Sequence, residues 1–394
     1  MKIVKAFRYR VYPTSAQVAR IEAWQHALRF LWNLSHDQRL LGMARPKGER
    51  RYPTAFDQMK ELTELRAALP WLADVPRNVC SQLLVELEKA WQRCFLKLAR
   101  APRFKCKGRD SLSLIEPHPK KWRLDGHNIR FPKLGTLRTV MHRPLEGTPK
   151  TCTLKRDGDQ WFVSIVCAIE APEPVERTAP VVAIDRGIAN FGATSDGDFI
   201  ANPQHLKASL KRLARAQRTV SRRKKGSKNR EKAKLRVMRI HRKVRRRREH
   251  FLHVETARLA KSHGVVVLEK LNVAGMKRSN LGRSISDASW SKFAEFLKYK
   301  MARSGGSVVE VPAAYSSQTC SACGVVDAKS RVSQSKYLCT SCGFVDHADL
   351  NAAKIILSRA NRSGQLGEGS LLLGTLRPKK RLRVSRRRAE GSAL

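Results

Sequence analysis

The sequence predicts a two-part α/β chain: an N-terminal antiparallel β-barrel or sheet interrupted by helices, then a mixed α/β domain. Three observations predict it. Residues 2–12 (KIVKAFRYRVY) and the run Trp161, Val163, Ile165, Cys167, Ile169 alternate with the period of a half-buried strand. Between them, apolar residues recur at three- and four-residue steps from Val18 to Leu98, the spacing of helix faces. After the proline-rich segment APEPVERTAP (171–180), strand patterns come grouped and then alternate with helical ones, which suits helices packed on a sheet.

Pro13 ends the first strand, and Thr14-x-x-Gln17 matches a capping box, in which two side chains satisfy the free amides of a helix start. Three stripes then define a helical block at 14–100: Val18, Ile21, Trp24, Leu28, Leu31; Phe56, Met59, Leu62, Leu65; and Leu83, Leu87, Trp91, Cys94, Leu98. From 101 the pattern becomes short extended runs at 128–131, 137–141, 152–156 and 161–169, with Asp157-Gly158 as a hairpin turn between the last two. Beyond Val181 come strands VVAIDRG, NFGATSD and DFIAN, a helical region to about 262, the buried strand VVVLE, a helix around 288–303, strand SVVEVP and a helix over 348–360. Residues 361–394 lack any sustained period and read as a disordered basic tail.

Charge restricts the partner. The 394 residues carry 79 Lys and Arg against 33 Asp and Glu, a formal net charge of +46. A single body so charged repels itself unless a polyanion neutralises it, and nucleic acid fits. The tail contributes nine Lys/Arg and two Glu, so +39 remains on the rest of the chain. Residues 201–250 hold 21 Lys/Arg against two Glu, more than helical ion pairs can neutralise, and Gly226-Ser227 should split this stretch into two helices. No apolar run is long enough to span a bilayer, and the N-terminus lacks the apolar core of a secretory signal. A reducing, cytoplasmic compartment is therefore expected. Cys80, Cys94, Cys106, Cys152 and Cys167 should be small core residues.

The other four cysteines form a different pattern. Cys320 and Cys323, fifteen residues, then Cys339 and Cys342 make a CxxC…CxxC array, with Gly324 and Gly343 following each pair to let the backbone fold back. Four thiolates with no open position indicate a structural zinc site.

Asp185 and Glu269 each end an apolar strand, and Asp349 opens the last helix. Each alone has a plain structural explanation, as an edge-strand acid, a strand-end acid beside Lys270 and a helix cap. Together they fit an acid set holding two Mg²⁺ ions for phosphodiester hydrolysis, since hard divalent ions take oxygen ligands. Asp346 is a rival for the third acid, or a cap for the helix that carries Asp349.

In this order and spacing, VVAIDRGIANFGATSDG, VVVLEKLNVAGM, SSQTCSACG, CTSCG and HADLNAA resemble the split RuvC-like nuclease domain of TnpB proteins, transposon-encoded relatives of type V CRISPR effectors. With FRYRVYPT, PRFKCKGRDS, FPKLGTLRTVMHRPLEG and SRRKKGSKNR, the resemblance covers about residues 1–360. It implies an RNase H-like (RuvC) nuclease domain at 181–313 and 346–360, with a zinc-ribbon target-binding insert at 314–345. It also implies an N-terminal wedge β-barrel at 1–13 and 101–172, interrupted by a helical recognition lobe at 14–100 and followed by a linker at 173–180. The implied activity is RNA-guided, Mg²⁺-dependent DNA endonuclease cleavage beside a short transposon-adjacent motif. Asp185, Glu269 and Asp349 match the family's catalytic acids, and Cys320, Cys323, Cys339 and Cys342 its zinc ligands. The implied partners are a guide RNA and target double-stranded DNA, with a monomer on one RNA and no membrane. Arg186, where the family more often has an aliphatic residue or Pro, should point to the opposite strand face. The flanking-motif reading is placed near Lys2, Lys5, Arg8, Arg10 and Lys105. The competing expectations are a guide-dependent DNA binder with a silent nuclease, a zinc-ribbon nucleic-acid-binding transposition factor, and a DNA-joining transposase, which would need further catalytic residues.

Overall fold

The computed structural model describes residues 1–46, 48–175 and 179–364, so the expected tail beyond 364 and residues 176–178 of the expected linker lie outside the described residues. The chain divides into two compact units, Met1–Glu173 and Pro174 onward.

In the first unit, β1 (Lys2–Tyr12) leads into α1 (Ser15–Ala44), α2 (Ala55–Ala68), α3 (Pro70–Ala73) and α4 (Arg77–Phe95). The capping box at α1 is formed: the Thr14 amide donates to Gln17 Oε1 at 2.9 Å and the Gln17 amide to Thr14 Oγ1 at 3.3 Å. Strands β2 (Leu114–Glu116), β3 (Arg123–Asp125), β4 (Asn128–Phe131), β5 (Gly135–Val140), β6 (Thr148–Asp157) and β7 (Gln160–Glu170) follow. They form an antiparallel sheet in the order β2-β6-β7-β1-β5-β4-β3. The first strand is thus central: Lys2–Val11 pairs with Glu170–Trp161 on one side and Arg10–Tyr12 with Val140–Arg138 on the other. The helices and sheet share one core, in which Trp24, Leu28 and Leu87 are buried in the same cluster as Phe7, Ile129 and Val163.

Some local expectations shift. Asp157 pairs with Gln160, so the hairpin turn is Gly158-Asp159, one residue later than expected. The α4 helix ends at Phe95, and Leu98 is left exposed, as is Phe56 on α2. Cys80, Cys152 and Cys167 are buried, but Cys94 is only partly so and Cys106 is exposed in a loop where Arg109 reaches its sulfur at 3.2 Å.

In the second unit, β8 (Val181–Asp185), β9 (Asn190–Thr194) and β10 (Phe199–Ala201) precede α5 (Leu210–Ser221) and α6 (Lys228–Ser262). Gly226, at φ +82°, breaks the basic stretch, and the Ser227 hydroxyl caps α6. Then come β11 (Val265–Lys270), α7 (Val273–Met276), α8 (Gly282–Ala288), α9 (Trp290–Arg303) and β12 (Ser307–Pro312). The hairpin β13 (Lys336–Leu338) and β14 (Val345–His347) leads into α10 (Ala348–Arg362). The sheet order is β10-β9-β8-β11-β12, with β8, β11 and β12 parallel and β9 and β10 antiparallel to their neighbours. Both faces of the parallel strands are covered. Val182, Ile184, Val266 and Leu268 pack with α6, α8 and α9, while Ala183 and Val267 pack with Ile356 and Ala360 of α10.

Candidate active site and four-cysteine centre

Side chains alternate along a strand, so the last residue of β8 and the next-to-last of β11 fall on the face of Ala183 and Val267, the α10 face. Those residues are Asp185 and Glu269. They lie one step beyond the paired residues Ile184 and Leu268, at the same end of adjacent parallel strands. The first turn of α10 carries Asp349 on that side. Burial, reinforced by the charges of Glu269 and Asp349, pushes the Asp185 carboxyl up to about 7, against a partial pull downward from Arg331 and Arg186. Glu269 is 5% exposed and is also pushed up, chiefly by burial, while a hydrogen bond from Ser316 Oγ to its Oε1 at 2.5 Å opposes this.

Asp185 stands within electrostatic reach of both Glu269 and Asp349, but the three acids are not drawn to one point. Among the described residues, the only set of three or more His, Cys, Asp or Glu whose ligand atoms crowd together is the cysteine set. Each of two acids has another partner. Arg331 Nη2 donates to Asp349 Oδ1 at 3.1 Å, and Ser316 holds Glu269. Arg186, one residue after Asp185, is 7% exposed and donates through Nη2 to the main-chain oxygen of Glu269. It lies in the field of Glu269, Glu310 and Asp185, so it ties the ends of β8 and β11 together from beside the acids. Such an oxygen-rich, desolvated set suits a hard divalent cation, whose charge would offset the burial of the acids.

Asp346 neither joins this group nor caps the helix. It pairs with Tyr337 in the hairpin, and its Oδ2 accepts from Lys354 at 2.8 Å. His347 takes the cap position, its Nδ1 accepting from the Asp349 amide at 3.2 Å.

The ligand atoms of Cys320, Cys323, Cys339 and Cys342 lie within 4.8 Å of one another, with Cys320–Cys342 at 3.8 Å and Cys323–Cys339 at 3.6 Å. A Zn–S bond of about 2.3 Å implies sulfurs about 3.8 Å apart in a tetrahedron, so the set fits zinc. Each pair is a tight turn. The Gly324 amide donates to Cys320 O and the Gly343 amide to Cys339 O, both glycines in the left-handed region at φ +78° and +70°. Burial acts to raise the Cys339 thiol, but amide hydrogen bonds from Cys342 and Ser341 outweigh it and bring it to about 7, whereas burial pushes the Cys320 thiol up to about 12, a cost that a bound cation would offset. Buried Asn351 ties this centre to α10, accepting from the Ser321 amide at 2.9 Å and donating to Thr319 O at 2.8 Å. Arg331, Ser316 and Asn351 escaped the sequence reading. Asn351 sits in the HADLNAA stretch and had that signal, whereas Arg331 and Ser316 stand in no periodic pattern.

The basic stretch also builds a cleft. Between α5 and α6, Arg212, Arg215, Arg236, Arg239, Lys243 and Arg247 line about 630 Å³. Part of the set near β1 is neutralised instead: Lys5 pairs with Glu146 at 2.7 Å and Arg8 with Asp157 at 3.6 Å. Lys105 lies over the Trp32 ring at 4.6 Å. No helix among the described residues is long and apolar enough to cross a membrane.

Comparisons with known proteins bear on the chain as a whole. Residues 164–280 match the family model OrfB_IS605, described as "Probable transposase", and residues 290–356 match "Cas12f1-like, TNB domain". Residues 1–39 match a "Helix-turn-helix domain", although here that span is a strand followed by one long helix. InsQ of Escherichia coli (strain K12), provisionally named an RNA-guided DNA endonuclease, is 32% identical over 93% of this chain and 95% of its own length. A Streptomyces pristinaespiralis protein with the same provisional name is 34% identical over 93% of this chain and 92% of its own. The cryo-EM structure of a Cas12f1–sgRNA–target DNA complex covers 90% of this chain and 98% of that chain with a TM-score of 0.53; at 13% identity this is a likeness of fold. Identity of this extent across nearly the whole length shows that the chain belongs to the TnpB family.

Proposed function

We propose that the chain is an RNA-guided DNA endonuclease whose active site is Asp185, Glu269 and Asp349. One observation supports the site: desolvation first, and then the charges of Glu269 and Asp349, push the partly buried Asp185 carboxyl up to about 7 where β8, β11 and the start of α10 meet. The full-length relatives named for this activity supply the substrate class. Mg²⁺ bound by these carboxylates would supply Lewis-acid activation for phosphodiester hydrolysis. The chain's own part is to keep the acids desolvated and aligned, with Ser316 orienting Glu269 and Arg186 fastening the two strand ends. Release of Asp349 from Arg331 would free the third ligand.

The finer organisation we propose is a RuvC-type RNase H-like domain at 181–313 and 346–360, with a zinc-bearing target-binding insert at 314–345 held by Cys320, Cys323, Cys339 and Cys342. The wedge barrel, recognition lobe, linker and tail keep the boundaries given above. We propose recognition of a short transposon-adjacent motif, one guide RNA per monomer, and action in the cytoplasm of a prokaryotic cell.

A second reading, guided binding with a silent nuclease, is favoured by the Arg331–Asp349 pair. The test is purification with co-bound RNA and a guided cleavage assay in Mg²⁺ and in EDTA, with Asp185→Ala as control. Cutting in Mg²⁺ alone, lost in the variant, supports the nuclease. Guided binding without cutting by the wild type overturns it in favour of the second reading.

A further inference from the structure

The sheet of the second unit places an aromatic side chain on each flank of the acids. Its strands lie in the order β10-β9-β8-β11-β12, and the register sets Phe199 opposite Ala193, Ala193 opposite Asp185, and Glu269 opposite Val311. Residues directly opposite share a face, so Phe199 stands on the face of the acids, two strands or about 10 Å from Asp185. Ile200, the next residue, is buried in the core of the other face, as alternation requires. Phe199 is 43% exposed, and its ring meets that of His347 edge-on at 4.8 Å. His347 accepts from the Asp349 amide, which joins this ring pair to the third acid.

Tyr315 occupies the opposite flank, beyond the end of β12 and next to Ser316, whose hydroxyl binds Glu269. Its φ is +59°, a left-handed value that a bulky residue rarely adopts. The main-chain oxygen of Tyr315 fixes that conformation by accepting from the amides of Gln318 and Thr319 and from the Thr319 hydroxyl. The side chain does little for the fold: it is 64% exposed and has no hydrogen bond or ring contact among the described residues. Backbone strain of this kind gathers at binding and catalytic sites, where the surroundings enforce it. We propose that Phe199 and Tyr315 stack on the bases to either side of the scissile phosphate and hold the strand across the acids. Every base has a π-face, so this grip tolerates any sequence but requires bases that are not already stacked. It rests on the reading of Asp185, Glu269 and Asp349 as the active site, and adds the side chains that position the strand there.

The experiment uses the full chain with its co-purified RNA and guided target DNA carrying 5-iododeoxyuridine at one position at a time. Irradiation in EDTA joins that base to an aromatic side chain in contact with it, and peptide mapping identifies the side chain. Phe199 and Tyr315 should crosslink from positions on opposite sides of the bond cut in Mg²⁺. Phe56 and Phe95, exposed aromatics of the first unit, should not crosslink from those positions. Phe199→Leu and Tyr315→Gly should each slow cleavage about tenfold, the scale of one base–aromatic stack, while Phe199→Tyr and Tyr315→Phe should cut as the wild type does. An abasic site at the crosslinking position should slow the wild type to the same degree and the matching variant no further. Tyr315→Gly should also melt no lower than the wild type, because glycine adopts this φ freely, whereas loss of a merely structural tyrosine would lower melting. Absence of both crosslinks, equal crosslinking to Phe56 or Phe95, or undiminished cleavage by both variants overturns the proposal and leaves the acid site standing. A crosslink to one ring alone overturns the two-sided grip. If the wild type binds guided DNA without cutting, the nuclease reading fails; crosslinks to both rings from neighbouring positions then still support the grip, and their absence still overturns it.

Discussion

Arg331 of the cysteine-bearing insert donates through Nη2 to Oδ1 of Asp349 at 3.1 Å and lies close enough to Asp185 to oppose the rise of its carboxyl. A guanidinium therefore holds part of the charge balance that a divalent cation would otherwise supply. The pair is partly buried, with side-chain exposures of 28% and 13%, so its net worth is on the order of 1 kcal/mol after screening.

Removing that competitor should favour the metal. In Arg331→Gln, the Mg²⁺ concentration for half-maximal cleavage should fall about fivefold, the equivalent of about 1 kcal/mol. A Mg²⁺ titration of guided cleavage measures it. An unchanged midpoint would show that Arg331 does not compete for Asp349.

The pH dependence of the metal-free protein has a definite sign. The folded chain keeps a proton on Asp185 up to about pH 7, whereas the unfolded chain releases it near 3.8. Over that window the native state binds more protons, so stability falls as pH rises and then levels off. Glu269, also pushed up, acts in the same direction. Asp185→Asn should remove up to about 4 kcal/mol of destabilisation at pH 8, given about 1.4 kcal/mol per pH unit. Thermal melting at pH 5 and pH 8 checks this: the variant should gain at pH 8 and show little gain at pH 5, and added Mg²⁺ should narrow the difference.

The cysteine centre should support the acid site at a distance. Cys320→Ser, or a strong zinc chelator, should unfold the insert and reduce cleavage, because Asn351 fastens α10 to residues beside Cys320. Asn351→Ala separates the two effects. It should retain about one zinc per chain by metal analysis yet cleave about 10- to 100-fold more slowly, the range seen when orienting partners of ligands are removed. Full activity in this variant would dissociate the insert from Asp349.

The α5–α6 cleft predicts a salt-dependent effect. Arg215→Gln/Arg236→Gln/Lys243→Gln removes three of its cations and should lower the salt slope of single-stranded nucleic-acid binding by about 2, at about 0.7 per contact. The loss should be similar for unrelated sequences, since phosphate contacts carry no base information. Sequence-dependent losses would indicate base readout instead.

Much of this was legible in the chain itself. Strand alternation marked β1 and β7, continuous apolar runs marked β8 and β11, three- and four-residue spacing marked α1 and α4, and Gly226-Ser227 marked the break before α6. Two CxxC pairs fixed the identity of four crowded sulfurs, because the spacing within each pair is itself the turn that aims them. Periodicity also placed the acids at strand and helix ends. It could not show that the helical block and the N-terminal antiparallel strands share a single core, since a repeat identifies a buried face without naming what covers it. Nor could it show Arg331 on Asp349, Ser316 on Glu269, Arg186 on the Glu269 main chain or Phe199 in one row with Asp185. The sequence alone determined which residues could bind metal and that the partner is a polyanion, because residue chemistry and local spacing suffice for both. Only the tertiary structure decided which cations and which rings stand beside the acids, because those pairings depend on strand register and chain crossings.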